Sequence, residues 1–250
     1  MHDDLGHEVE LGEARRIVSL VPSLTEAIAA TAPGLLVGAT DWCTHPAGLD
    51  VARVRGTKNP NLNAIADLAP DLVIANQEEN RELDVRRLRE RGIEVWVTRI
   101  ETVGESIGSM ARLFEALGLA EPEWLAHARE VWAAPGETWA RAAVPIWRDP
   151  WMVVGRDTFT GDLLSRLGVE NAFGDAEERY PSVDVAAIEA AGVDLVILPD
   201  EPYVFSAEDG PEAFATPTAL VEGRLLTWYG PSLVTARATL EAQLRTALGR

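Results

Sequence analysis

The chain is short of positive charge, of thiols and of long apolar runs. Its one cysteine, Cys43, excludes an internal disulfide. No apolar stretch approaches the ~20 residues that span a bilayer. Residues 1–12 are polar and acidic, without a basic start, an apolar segment or a lipid-accepting cysteine. The expectation is therefore a cytoplasmic protein, or a periplasmic or extracellular one if the chain has been trimmed of a leader. Acidic residues outnumber basic ones 40 to 22, for a formal charge of −18. Such a surface repels phosphate backbones, so nucleic acid is not an expected partner. Lys58 is the only lysine among the 22 basic residues. Its compact ammonium marks it for attention where arginine serves everywhere else.

What is present is alternation. Short β-branched runs at 16–21, 36–39, 71–75 and 93–98 predict strands. Between them, 23–32, 63–68 and 80–91 read as helices, with Ser23 as N-cap and Glu26 at the capping-box position. The β-α-β order implies a mostly parallel sheet with helices on both faces. The order then returns. Residues 151–155 predict a strand, 160–167 a helix, and 224–228 the last strand, equivalent to 93–98. Residues 187–198 (AIEAAGVDLVIL) align without a gap on 64–75 (AIADLAPDLVIA), at a constant offset of 123. Glu201 falls opposite Glu78. The fold class expected is α/β, with two Rossmann-like lobes arising by duplication.

Between the repeats lie helices at 103–117 and 122–134, with 137–143 expected to resume after Pro135-Gly136. The expected organisation is an acidic arm (1–14), an N-terminal α/β lobe (15–118), a connecting helical backbone (119–143) and a C-terminal α/β lobe (144–250). A helical connector is stiff, so little relative movement is expected.

Ligands of open parallel sheets bind beyond the carboxyl ends of the strands. Those loops carry Ser23, Thr25, Glu26, Trp42, Lys58, Asn59, Gln77, Glu78 and Glu79 in the first half. In the second half they carry Arg156, Thr158, Phe159, Glu201, Tyr203, Trp228 and Tyr229. The lone cysteine, the lone lysine and two of the three tyrosines fall here, unlike the Gly, Pro, Asp and Asn of ordinary loops. Trp42, Tyr203, Trp228 and Tyr229 suggest aromatic faces for a flat ligand, or rings that pack the rims. Cys43 and His45 are candidate metal ligands. They read equally as a small buried thiol beside a hydrogen-bonded imidazole, or as a nucleophile and base. No catalytic residue is assigned.

The segment 16–26 (RIVSLVPSLTE) and the Pro70-Asp71-Leu72-Val73-Ile74 core of 62–75 resemble the class III periplasmic binding proteins. Residues 43–46, 56–62, 75–80, 146–148 and 228–230 are similar to the subgroup called helical-backbone metal receptors or cobalamin-binding-like proteins. The resemblance runs from about residue 15 to 245. It implies two lobes joined by a rigid backbone helix, a ligand cleft between them, and an ABC permease as partner. Importers of this kind dock through one glutamate per lobe. Here those places fall at Asn63 and about Ala186, and the histidine-rich site of zinc and manganese receptors is not matched. The function expected is a solute-binding protein for a small molecule or metal chelate. A corrinoid comes first, a siderophore or haem second, with Lys58, Arg148 and Arg156 available for acidic groups. The alternative is a cytoplasmic enzyme or sensor that reuses the same cleft.

Overall fold

The computed structural model describes all 250 residues. They form two compact units. Unit 1 comprises Met1–Ile100, Glu105–Ala126 and Tyr229–Pro231, and unit 2 comprises Glu101–Gly104, His127–Trp228 and Ser232–Arg250.

The strands of unit 1 are β1 (Ile17–Ser19), β2 (Leu36–Ala39), β3 (Ala52–Arg53), β4 (Arg55–Gly56), β5 (Asn59–Pro60), β6 (Leu72–Asn76) and β7 (Val95–Thr98). Five of them make a parallel sheet in the order β3-β2-β1-β6-β7. β1 and β6 are buried at every position, as parallel strands covered on both faces must be. Val18, Val73, Val95, Ile65 and Leu88 belong to the core on one of those faces. Helices α1 (Pro22–Thr31), α2 (Leu62–Asp67) and α3 (Glu82–Arg89) follow β1, β5 and β6. α1 starts one residue before the expected cap. Val21 is its N-cap and Pro22 takes N1, where a fixed φ and a missing N–H suit the first turn. Ser23 and Glu26 are therefore buried helical residues, not a capping box.

The acidic N-terminal arm is bonded to the sheet. Asp3 accepts from the backbone N–H groups of Leu5, His7 and Val97, and pairs with Arg89 at 3.0 Å. Asp4 accepts from the Arg99 amide and pairs with Arg112 at 2.6 Å. Its own N–H donates to the Val97 carbonyl. The arm thus covers the outer edge of β7. Helices α4 (Val103–Ala116) and α5 (Glu123–Val131) follow, matching the two expected helices.

Unit 2 holds β8 (Ala140–Ala143), β9 (Pro145–Trp147), β10 (Met152–Val153), β11 (Val169–Asn171), β12 (Leu195–Pro199) and β13 (Thr218–Val221). Its parallel sheet runs β11-β8-β12-β13. The helices are α6 (Phe159–Leu167), α7 (Val185–Ala190), α8 (Gly223–Thr227) and α9 (Leu233–Ala247). Two expectations are corrected. Residues 140–143, expected as helix, are strand β8: small, mostly buried residues that pair with both β11 and β12. Residues 224–228, expected as the last strand, are mostly helix α8. The strand is β13, seven positions earlier at its end, and the Asp200 carboxylate accepts from the Gly223 amide at 2.6 Å where α8 begins. The run 151–155 supplies only the two residues of β10, antiparallel to β9.

The 123-residue offset maps each bound of α2, β6 and β7 onto the bounds of α7, β12 and β13. It maps the N-cap too: Asn61 caps α2 and Asp184 caps α7. Asp71 accepts from the Arg16 amide at 2.9 Å, and Asp194, 123 residues later, accepts from the Arg141 amide at the same distance.

Candidate ligand-binding loops

In unit 1 the loops beyond β1, β2, β4 and β6 are tied into one construction. Thr57 and Lys58 form the turn between the antiparallel β4 and β5. The Lys58 ammonium donates to the backbone carbonyl of Glu78. Asn80 Nδ2 donates to the carbonyls of Thr57 (3.0 Å) and Leu20 (3.3 Å), and its Oδ1 accepts from the Asn76 amide at 2.8 Å. Asn76 Oδ1 in turn accepts from the amides of Glu78 (2.8 Å) and Glu79 (3.2 Å), and its Nδ2 donates to Thr98. The two asparagines hold Glu78 and Glu79 in place by their backbones. Neither was singled out in the sequence, although Asn at both ends of a turn directly after a buried strand is the usual sign of such side-chain-to-backbone pinning.

The Tyr229 hydroxyl donates to Glu79 Oε1 at 3.2 Å, with the Ser23 hydroxyl beside it. Burial raises the Tyr229 pKa well above its ordinary value, and the neighbouring Glu79 charge raises it further. The phenol stays protonated and acts as a donor. Gly230 packs against the Ser23 carbonyl, where an added Cβ would approach to 3.1 Å. Gln77 and Asn59 are exposed. Trp42 is 66% exposed, and its indole nitrogen lies over Gly56 in the Lys58 hairpin.

Cys43 is fully buried, 3.0 Å from the Thr25 hydroxyl and 3.1 Å from that of Thr40. Burial pushes its thiol pKa up, against the opposing pull of those two hydroxyls. A neutral thiol is a poor nucleophile and a poor metal ligand. His45 Nδ1 is 3.1 Å from the Thr44 hydroxyl, and the structure gathers no group of three His, Cys, Asp or Glu side chains able to hold a metal ion. Thr25 thus serves Cys43 and the Val21 carbonyl.

In unit 2, Thr158 is the N-cap of α6 and accepts from the Gly161 amide, while Phe159 is buried in its first turn. Arg156 is exposed and pairs with Asp157 at 2.7 Å. Glu201 Oε1 accepts from Thr227 at 3.0 Å. Tyr203 donates to Asp209 at 2.6 Å, which raises the tyrosine pKa and lowers that of the aspartate. Arg148 pairs with Asp209 and Glu212 and lies 5.4 Å over the Trp151 ring. Its charge is therefore committed to its own unit. Trp228, expected on a rim, is only 7% exposed, because it ends α8 and does not follow a strand.

No family model matches the chain. Its fold is that of the class III periplasmic binding proteins: two α/β units with parallel sheets. The structure of the periplasmic vitamin B12-binding protein BtuF of Vibrio cholerae superposes with a TM-score of 0.78 at 21% identity, over 95% of this chain and 99% of that one. That of Helicobacter pylori CeuE with nickel and histidine gives a TM-score of 0.81 at 17% identity, over 100% and 89%.

Sequence relatives agree with that fold. The vitamin B12-binding protein of Vibrio cholerae is 28% identical over 188 residues, 70% of this chain and 67% of its own length. An ABC transporter substrate-binding lipoprotein of Bacillus subtilis, YvrC, is 25% identical over 191 residues, covering 70% and 61%. The cytoplasmic expectation is corrected by these relatives. A periplasmic protein and a lipoprotein point to the periplasm or the exterior. No helix is long and apolar enough to cross a membrane.

Proposed function

We propose that the chain is a solute-binding protein of ABC-importer type that holds a corrinoid, with haem or a metal siderophore as the next candidates. The observation that carries this reading is the 28% identity to vitamin B12-binding proteins across 70% of the chain. In unit 1, supporting it, are a pinned polar loop bearing Glu78 and Glu79, a lysine-tipped hairpin, and the exposed indole of Trp42. These offer hydrogen bonds to amide-rich periphery and a flat apolar face to a macrocycle. Neither Cys43 nor His45 is needed as a metal ligand, because a chelated metal arrives with its own coordination sphere.

Docking on a permease belongs to this proposal, with no contact residues assigned. The places expected for docking glutamates, Asn63 and Ala186, are both exposed and lie at equivalent positions in α2 and α7. Both are uncharged, so a charge-paired contact there is not proposed.

Titration with cyanocobalamin, haemin and a ferric siderophore, followed by visible absorption and calorimetry, tests the proposal. The expected outcome is saturable one-to-one binding, strongest for the corrinoid. Absence of binding to all three would falsify it.

A further inference from the structure

β2 and β3 lie side by side and parallel, so the chain must return from the end of one to the start of the other through residues 40–51. A connection of that length without helix or strand is entropically costly to hold in one form. β3 itself supplies the clamp. Arg53 stands opposite Ala39 in the ladder. Its Nη1 donates to the carbonyls of Thr40 and Cys43, both at 2.9 Å, and its Nη2 to that of Leu49 at 3.1 Å. One planar guanidinium thus ties both ends of the loop together with charge-assisted bonds.

The loop opens with a tight turn, in which the Cys43 N–H donates to the Thr40 carbonyl at 3.1 Å. Trp42 is the third residue of that turn. The carbonyls that Arg53 grips at this end belong to the first and fourth, so the clamp straddles the tryptophan. On the buried side, Cys43 Sγ lies 3.0 Å from the Thr25 hydroxyl and 3.1 Å from that of Thr40. On the exposed side, the Trp42 indole nitrogen lies over Gly56, and a Cβ added there would come within 3.2 Å of it. A ring that is 66% exposed is thus held through its backbone at one end and seated on a glycine at the other. A ligand that meets an already ordered ring does not have to order it on binding.

We infer that Arg53 is a positioning residue for the ligand: it fixes the Thr40–Cys43 turn and so presents the Trp42 ring in one place before anything binds. The inference rests on Trp42 belonging to the proposed ligand face. It also gives the lone cysteine a part. Cys43 is the buried anchor of the turn, its sulfur seated between two hydroxyls. Gly56 belongs to the same device, since a methyl group there would meet the indole and, at 2.5 Å, Asn59 Oδ1. An arginine that did no more than close the loop would, on removal, lower stability and leave the ring where it is. A positioning arginine moves the ring and weakens binding through it.

The test uses the full chain grown with 5-fluorotryptophan, in which each of the eight tryptophans gives its own fluorine resonance. Trp42→Phe assigns the one from Trp42. Without ligand, Arg53→Gln is expected to move the Trp42 resonance toward its position in the unfolded chain and to leave the others in place. Arg53→Lys keeps the charge but not the planar fork, so its shift should be intermediate. It carries the same test if Arg53→Gln does not fold. Titration with cyanocobalamin should show binding about three- to tenfold weaker in Arg53→Gln, the cost of ordering a side chain and its loop on binding. Added to Trp42→Ala, Arg53→Gln should bring no further weakening, because both act through one ring. A Trp42 resonance that stays in place in the arginine variants overturns the inference, whatever the melting temperature does. So does a loss of affinity that adds in full to that of Trp42→Ala. If the parent binds no cyanocobalamin, the proposed ligand is wrong, and the fluorine spectrum alone decides the role of Arg53.

Discussion

Tyr229 and Glu79, 150 positions apart in sequence, share a hydrogen bond of 3.2 Å in which the phenol is the donor. The pair closes the polar end of unit 1 over the start of α1. Tyr229→Phe keeps the ring and removes one hydrogen-bond donor from the half-buried Glu79 carboxylate. Chemical denaturation should show a loss of about 1–3 kcal/mol, the usual worth of a hydrogen bond to a charged group. A change below about 0.3 kcal/mol would mean that water replaces the phenol without cost.

The same end of the molecule sets an alkaline limit. The pKa of Cys43 is raised from 9.0 by burial, and that of Tyr229 from 10.0, chiefly by burial. In the unfolded chain both groups release their protons nearer those ordinary values. Above them the unfolded state binds fewer protons than the folded one, so stability falls as pH rises. Below pH 9 neither group contributes a slope. Melting temperature should therefore hold up to about pH 9 and decline above it, Cys43 acting first and Tyr229 next. The double variant Cys43→Ala, Tyr229→Phe should flatten that decline. Some slope should remain from Tyr203, whose hydrogen bond to Asp209 also raises its pKa. An unchanged profile in the double variant would assign the alkaline loss elsewhere. Labelling of Cys43 by a thiol reagent should likewise wait for unfolding.

Much of the fold was legible, because one signal ran through the whole chain. The gapless match between 64–75 and 187–198 carried the repeat, and buried parallel strands such as β6 and β12 read as continuous apolar runs. The misplaced last strand is instructive. The offset of 123 applied to β7 points to Thr218–Val221, yet the run at 224–228 also carries large apolar residues and reads as a strand. Short apolar runs do not distinguish a strand from a buried helical turn. Tyr229 and Trp228 inherited that error, and neither is a rim residue. The site was less legible for a different reason. Asn76 and Asn80 act through backbone amides, and no residue pattern records which amides need a partner. The role of the acidic arm is not legible in the sequence, because Arg89 and Arg112 come beside its acids only in the fold.

That arm supports a prediction of its own. The Asp3 side chain is fully buried and meets three backbone amides and Arg89. Asp3→Ala strands those donors at the edge of β7. The loss expected is about 3 kcal/mol, as for a buried ion pair broken on one side. Thermal or denaturant unfolding measures it. Asp3→Asn, which keeps an acceptor, should recover part of the loss. If Asp3→Ala unfolds like the parent, the arm is an appendage and not part of the sheet.

Two tryptophans differ sharply in burial, and that difference separates their expected effects. Trp42 stands 66% exposed beside the Lys58 hairpin and carries little packing of its own. Trp228 is 7% exposed, with the Arg224 guanidinium 5.9 Å over its ring. Replacing Trp42 by alanine should leave the melting temperature nearly unchanged. Under the proposed function it should weaken corrinoid binding by about 1–3 kcal/mol, the worth of covering a large aromatic face. Replacing Trp228 by alanine should do the reverse in kind. It should cost about 3–5 kcal/mol of stability through the cavity it leaves. Calorimetric titration beside differential scanning calorimetry gives both quantities for both variants. Full affinity in Trp42→Ala would remove this face from the site, whatever ligand the protein carries.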